Sequence, residues 1–168
     1  MNFKQLLDES EKEYKSIFKG KNPVILVGSA TCGNSAGANL VIKSFNKELE
    51  KHGLDVEIIE VGCLGLCHIE PIITIIKPGK PAIFYGNINQ KLVTDLVKSY
   101  LLSDNPIPEI ALGTYKGKIK GIPDIFSIPV LKPQVRQILR NCGFIDPKNI
   151  KHYIACGGYK GLKKALEI

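Results

Sequence analysis

Residues 24–45 read Val24-Ile25-Leu26-Val27-Gly28-Ser29-Ala30-Thr31-Cys32-Gly33-Asn34-Ser35-Ala36-Gly37-Ala38-Asn39-Leu40-Val41-Ile42-Lys43-Ser44-Phe45. The first four are an apolar run that enters a glycine, as a strand buried on both faces does. Ser29 to Ala36 is a loop of small residues. From Ala38 the apolar positions Val41, Ile42, Phe45 and Leu49 fall at helical spacing, and Gly53 after Lys51 and His52 is a C-terminal helix stop. Strand, loop and helix in this order open an α/β domain.

Outward from this unit the pattern continues in both directions. Asp55 to Val61 alternates apolar and acidic residues and predicts a second strand. After a loop over 62–71, the β-rich runs Ile72 to Ile76 and Ala82 to Tyr85 flank a turn at Pro78 to Pro81, which predicts a hairpin. Leu92, Val93, Leu96, Val97, Tyr100 and Leu101 mark one face of a closing helix. The order is βαβββα, one sheet covered by helices. Upstream, Phe3, Leu6, Leu7, Tyr14, Ile17 and Phe18 predict an N-terminal helix that ends before Pro23.

Downstream the character changes. Residues 105–133 hold five of the ten prolines and read as too broken for regular elements, a linker or draped arm. Beyond them Val135, Ile138 and Leu139 hint at a short helix ended by Gly143. Asp146-Pro147 reads as an N-cap and first turn of a helix through Ile154, and 159–166 as another. The predicted organisation is an N-terminal helix over 1–22, an α/β domain over 23–104, and a partly helical arm over 105–168. A chain ending near Asp104 is expected to keep its fold.

With 168 residues, 44% of them hydrophobic, there is room for one ordinary domain and an appendage. The first 21 residues contain no apolar stretch of signal-peptide or membrane-span length, so a cytoplasmic protein without membrane insertion is expected. The net charge of +7 is uneven: 12 lysines balance 12 acidic residues up to Asp104, while the last 64 residues carry 9 Lys, 2 Arg and 4 acidic residues. Such an arm suits an acidic partner or a solvated surface. Nucleic acid ranks last, because no zinc-finger or ribonucleoprotein-type motif is present.

Five cysteines, three of them within 36 residues, fit metal ligation better than a disulfide framework. In Gly62-Cys63-Leu64-Gly65-Leu66-Cys67-His68-Ile69-Glu70-Pro71, two thiols four positions apart on a glycine-bearing turn can converge on one metal centre. Cys32 lies in another loop at the mouth of a helix, where the dipole favours a thiolate, and both loops fall at the same end of the sheet. Two buried reduced cysteines are the plain alternative for Cys63 and Cys67. His68 reads as a surface histidine, Tyr153 and Tyr159 as packing residues, and Glu70-Pro71 as a rigid exit from the loop.

Cys32-Gly33-Asn34-Ser35-Ala36-Gly37-Ala38, followed by Gly62-Cys63-Leu64-Gly65-Leu66-Cys67 and Glu70-Pro71, resembles the thioredoxin-like [2Fe-2S] ferredoxins. Leu139-Arg140-Asn141-Cys142-Gly143, Ile145-Asp146-Pro147 and Tyr153-Ile154-Ala155-Cys156-Gly157-Gly158-Tyr159 resemble the approach to the flavin domain. That approach occurs in the beta subunits of NAD(P)-linked and bifurcating hydrogenases and in the flavoprotein subunit of respiratory NADH dehydrogenase. The resemblance implies a thioredoxin-like ferredoxin fold and a [2Fe-2S] cluster on Cys32, Cys63 and Cys67. It also implies one-electron transfer without catalysis by this chain alone. Partners would be a flavin- and NADH-binding subunit or domain and other iron-sulfur subunits, with FMN and NADH held beyond Ile168 or on the partner. The family's fourth cysteine is replaced by the neighbourhood Leu26-Val27-Gly28-Ser29, so Ser29, Thr31, Ser35 or another chain would complete the ligand set. The rival reading is a cluster-free module that positions subunits.

Overall fold

A computed structural model describes residues 2–167. Helix α1, Phe3–Lys19, starts at Asn2, which forms a reciprocal capping box with Gln5. It leads to strand β1, Val24–Gly28, a five-residue helix α2, Thr31–Ser35, and helix α3, Ala38–His52, closed by Gly53 in the left-handed region. Strands β2, Glu57–Val61, β3, Ile73–Ile76, and β4, Ala82–Tyr85, follow, then helix α4, Gln90–Leu96, which continues as a π-helical turn over Val97–Leu102. The loop expected over 29–36 therefore contains a helical turn. The βαβββα order stands.

The sheet order is β2-β1-β3-β4 followed by a fifth strand, β5, Ala111–Tyr115. β1 and β2 are parallel and all other pairs antiparallel. β5 departs from the expectation that 105–133 holds no regular element: it pairs with β4 from Ala82–Tyr115 to Tyr85–Ala111. Five residues between prolines and glycines are too few to show a period. Among the described residues no helix is long and apolar enough to cross a membrane.

The apolar runs of β1, β3 and β4 arise because both faces of the sheet are covered. Ile25, Val27, Ile73, Ile75, Ile83 and Tyr85 face Val41, Phe45 and Leu49 of α3 and Val93 and Leu96 of α4. On the opposite face Val24, Leu26 and Ile76 meet Ile17 of α1, and Ile72 and Phe84 meet Ile125, Leu131 and Phe144. Residues after 104 are thus part of the second core layer. The hinted helix at 135–143 is a series of turns, with Val135 and Ile138 pointing into solvent.

Two short helices end the chain: α5, Ile150–Ala155, capped by Asn149 rather than Asp146, and α6, Lys160–Leu166. α5 docks on α1. Asn149 Nδ2 and Lys151 Nζ donate to the Glu13 carboxylate at 2.9 and 2.8 Å, and the His152 ring stands edge-on to Tyr14 at 5.6 Å. The Asp146 amide donates to His152 Nδ1 at 3.0 Å, which requires a neutral ring nitrogen there.

Three outcomes follow from this packing. A chain cut after Asp104 loses the edge strand and the cover over Ile72 and Phe84, so it is expected to lose cooperative thermal unfolding by circular dichroism rather than to keep its fold. Gly113 sits where an added Cβ would lie 2.5 Å from Ile125 Cα; Gly113→Ala is expected to cost about 1–3 kcal/mol in denaturant titration. Burial holds the His152 pKa below its ordinary 6.5, against the opposing pull of Asp146, Glu13 and Glu57. The unfolded chain therefore binds the extra proton first. Stability is full above the ordinary histidine value, falls as pH drops through the window between it and the lowered folded value, and is lost below. A melting series over this range should show the acid loss, and His152→Gln should flatten it.

Candidate metal centre

Two leucines aim the ligand loop. In Cys63-Leu64-Gly65-Leu66-Cys67, Leu64 and Leu66 are 3% and 0% exposed and enter the cluster formed with Ile72, Phe84 and Phe144. The alternating Cys63 and Cys67 are turned toward the surface, half-buried and exposed respectively. Gly65 holds φ +96, a left-handed conformation that a side chain would strain, and its amide donates to Cys63 Sγ at 3.3 Å. A short 3₁₀ turn, Cys67–Ile69, and the cis peptide Glu70–Pro71 lead into β3.

Cys32 arrives from the other loop as the second residue of α2. β1 and β2 run parallel, so the loops leaving their C-terminal ends, after Gly28 and after Val61, meet at one end of the sheet. The Sγ atoms of Cys32, Cys63 and Cys67 all lie within 4.8 Å of one another, and Cys63 and Cys67 are 3.6 Å apart. Two thiolates on one tetrahedral metal with bonds near 2.3 Å would be about 3.7 Å apart. The donor set therefore suits a thiophilic centre such as an iron-sulfur cluster.

Burial pushes the Cys63 thiol up to about 11; the Gly65 amide opposes this, while Cys67 and the Glu70 carboxyl add to it. Such a thiol is a poor nucleophile at neutral pH, which counts against thiol-disulfide exchange, whereas a bound metal ion would drive its deprotonation. Burial likewise raises the Glu70 carboxyl, opposed by the hydrogen bond from the Ile72 amide and by Cys63.

The remaining candidates fall elsewhere. Cys142 packs behind Gly62, its Sγ 3.8 Å from the position a Gly62 Cβ would take, and neither it nor Cys156 belongs to the three-thiol group. Ser29 is half-buried with its amide donating to Val61 O at 3.0 Å; Thr31 and Ser35 are exposed on α2. His68 is exposed, as expected, and Tyr153 and Tyr159 stack edge-on at 5.2 Å while about half exposed.

Two contributors were not anticipated. Arg136 Nη1 donates to Leu64 O at 2.8 Å and Nη2 to Leu139 O at 2.8 Å, fastening the arm to the ligand loop. Glu70 is buried near the Cys63 thiol; in the sequence it is the lone charge in the apolar run from Ile69 to Ile76.

Among curated proteins the chain is 30% identical over 103 residues to the NADP-reducing hydrogenase subunit HndB of Solidesulfovibrio fructosivorans, covering 61% of this chain and 81% of that protein. It is 60% identical over 35 residues to subunit HndC of the same organism, 21% of this chain and 7% of that protein. Among solved structures it is similar to a thioredoxin-like [2Fe-2S] ferredoxin from Aquifex aeolicus, with a TM-score of 0.48 and 16% identity over 61% of this chain and 98% of that one. No family model matches the chain.

Substitution is expected to separate the thiols. Cys63→Ser, Cys67→Ser and Cys32→Ala should each lose more than half of the iron bound by anaerobically reconstituted wild type, and Cys142→Ser should keep most of it. Equal losses in all four by colorimetric iron assay would remove the assignment.

Proposed function

The chain belongs to the family of the NADP-reducing hydrogenase subunit HndB, and from that premise we propose that it is a [2Fe-2S] electron-transfer module of an NAD(P)-linked, flavin-containing oxidoreductase complex. The observation that carries this is the convergence of Cys32, Cys63 and Cys67 from two loops to within 4.8 Å. A bound cluster would supply a one-electron relay there. The chain's own residues hold and tune the site. Cys63 and Cys67 are preorganised by the buried leucines between them, and the Gly65 amide points at the Cys63 sulfur, where it would stabilise negative charge. FMN and NADH belong, in this reading, to a further domain or a partner subunit.

The arm is the proposed docking element. Val135 and Ile138 are 83% and 95% exposed on its turns. Lys118, Lys120, Lys132, Lys160 and Lys164 lie on its exposed surface. Basic charge there would steer association with an acidic surface, and steering weakens as salt shortens the screening length.

Two measurements test the reading. Anaerobically purified wild type should contain iron and acid-labile sulfide, show visible charge-transfer bands and give a reduced-state electron paramagnetic resonance signal; a colourless protein with free thiols at all three positions would favour the cluster-free module. Association with the purified flavin-bearing subunit should slow severalfold between low and physiological ionic strength. Ile138→Ser with Val135→Ser should speed dissociation at least tenfold without moving the melting temperature; unchanged kinetics would place docking elsewhere.

A further inference from the structure

Three thiols leave a [2Fe-2S] cluster one donor short, since such clusters are held by four protein ligands. Glu70 is a buried carboxylate between the two cysteine loops, outside the group of three thiols that lie within 4.8 Å of one another. The residue is 7% exposed. Oε2 accepts the Ile72 amide at 2.6 Å, and Oε1 is buried with no hydrogen-bond partner.

Its surroundings are both cysteine loops. A Cβ at Gly28 would lie 3.0 and 3.2 Å from the two carboxylate oxygens, and one at Gly33, the neighbour of Cys32, 3.5 Å from Oε2. Both positions are glycine, so the carboxylate occupies space that a side chain would fill. The Cys63 thiol is near enough to lower its pKa, though no hydrogen bond joins the two. We propose that the Glu70 carboxylate is the fourth ligand, completing a three-cysteine, one-carboxylate site; this rests on the reading of the three thiols as cluster ligands.

An unpartnered buried carboxylate oxygen is costly, and binding a cation is one of the few ways to offset it. The adjacent cavity, about 10 Å³ and lined by Leu26, Val61, Leu64, Phe84, Glu70 and Thr74, holds at most one water among mostly apolar walls. The exposed hydroxyl of Ser35 would instead have to give up solvent. Ligation transfers no electron: the carboxyl releases its proton to solvent, and one oxygen lone pair forms the iron-oxygen bond. The oxidised site carries the same total charge as one with four thiolates, because a carboxylate replaces a thiolate.

The test uses the full chain, reconstituted anaerobically with iron and sulfide, as wild type, wild type labelled with ¹³C at glutamate carboxyl carbons, Glu70→Gln, and Cys142→Ser. The expected results are a ¹³C coupling in electron-nuclear double resonance of the reduced labelled protein, its disappearance in labelled Glu70→Gln, and either loss of at least half the iron or shifted g values in that variant. Circular dichroism of the metal-free proteins checks that Glu70→Gln folds. Absence of the ¹³C coupling in a loaded wild type overturns the inference whatever Glu70→Gln does, and iron loss confined to Cys142→Ser would assign the ligand to Cys142. A wild type that takes up no iron and sulfide would fail the ferredoxin reading itself, a distinct result.

Discussion

The burial of Leu64 and Leu66 is the constraint on which the site depends. Both side chains sit in the second core layer, under Phe144 and Leu131 of the arm and against Ile72 and Phe84 of the sheet. With Leu64 and Leu66 drawn into the core, Cys63 and Cys67 are left half-buried and exposed at the surface of the turn. Gly65 between them supplies the left-handed turn that lets its amide reach a sulfur. The hydrophobic effect that fastens the loop also aims the thiols.

That dependence makes the arm a structural part of the site. Arg136 ties the arm to the Leu64 carbonyl, Gly143 approaches Leu64 so closely that an added Cβ would lie 3.0 Å from its Cδ1, and Cys142 backs Gly62. The N-terminal helix completes the same layer, with Ile17 beneath the sheet and Glu13 holding α5 through Asn149 and Lys151. The two ends of the chain thus cover one face of the sheet together. A small domain with a single helical layer would leave Val24, Leu26, Ile76 and Phe84 in water; each fully buried aliphatic or aromatic side chain of this kind contributes about 1.5–3 kcal/mol.

Charge is managed differently inside and outside. On the surface, basic residues of the arm are partly matched, Lys151 by Glu13 and Lys148 by Glu60, while most of the remaining excess faces solvent. Exposed pairs of this kind contribute little to stability, and the excess acts through long-range attraction. Inside, the Glu70 carboxyl is enclosed by glycines, a thiol and apolar walls with only one of its oxygens satisfied. That half-satisfied carboxyl between the two cysteine loops is the observation on which its proposed ligand role rests.

By itself the sequence determined the local periods and the chemistry of the donors. The continuous apolar run at 24–27 identified a buried strand, the runs at 72–76 and 82–85 a hairpin, helical spacing α1, α3 and α4, and the paired cysteines of one loop with Cys32 of another put three thiols at one end of the sheet. These features are legible because short-range spacing maps directly onto strand and helix geometry. The fifth strand, the packing of Phe144 and Leu131 over the ligand loop, the Arg136 tether and the burial of Glu70 were decided only by tertiary structure. Each joins residues tens of positions apart, as Arg136 and Leu64 are, and no local period records which distant surface a turn-rich segment will cover. The lone Glu70 shows the boundary: only the folding of two loops around it buried its carboxylate next to Gly28, Gly33 and Cys63.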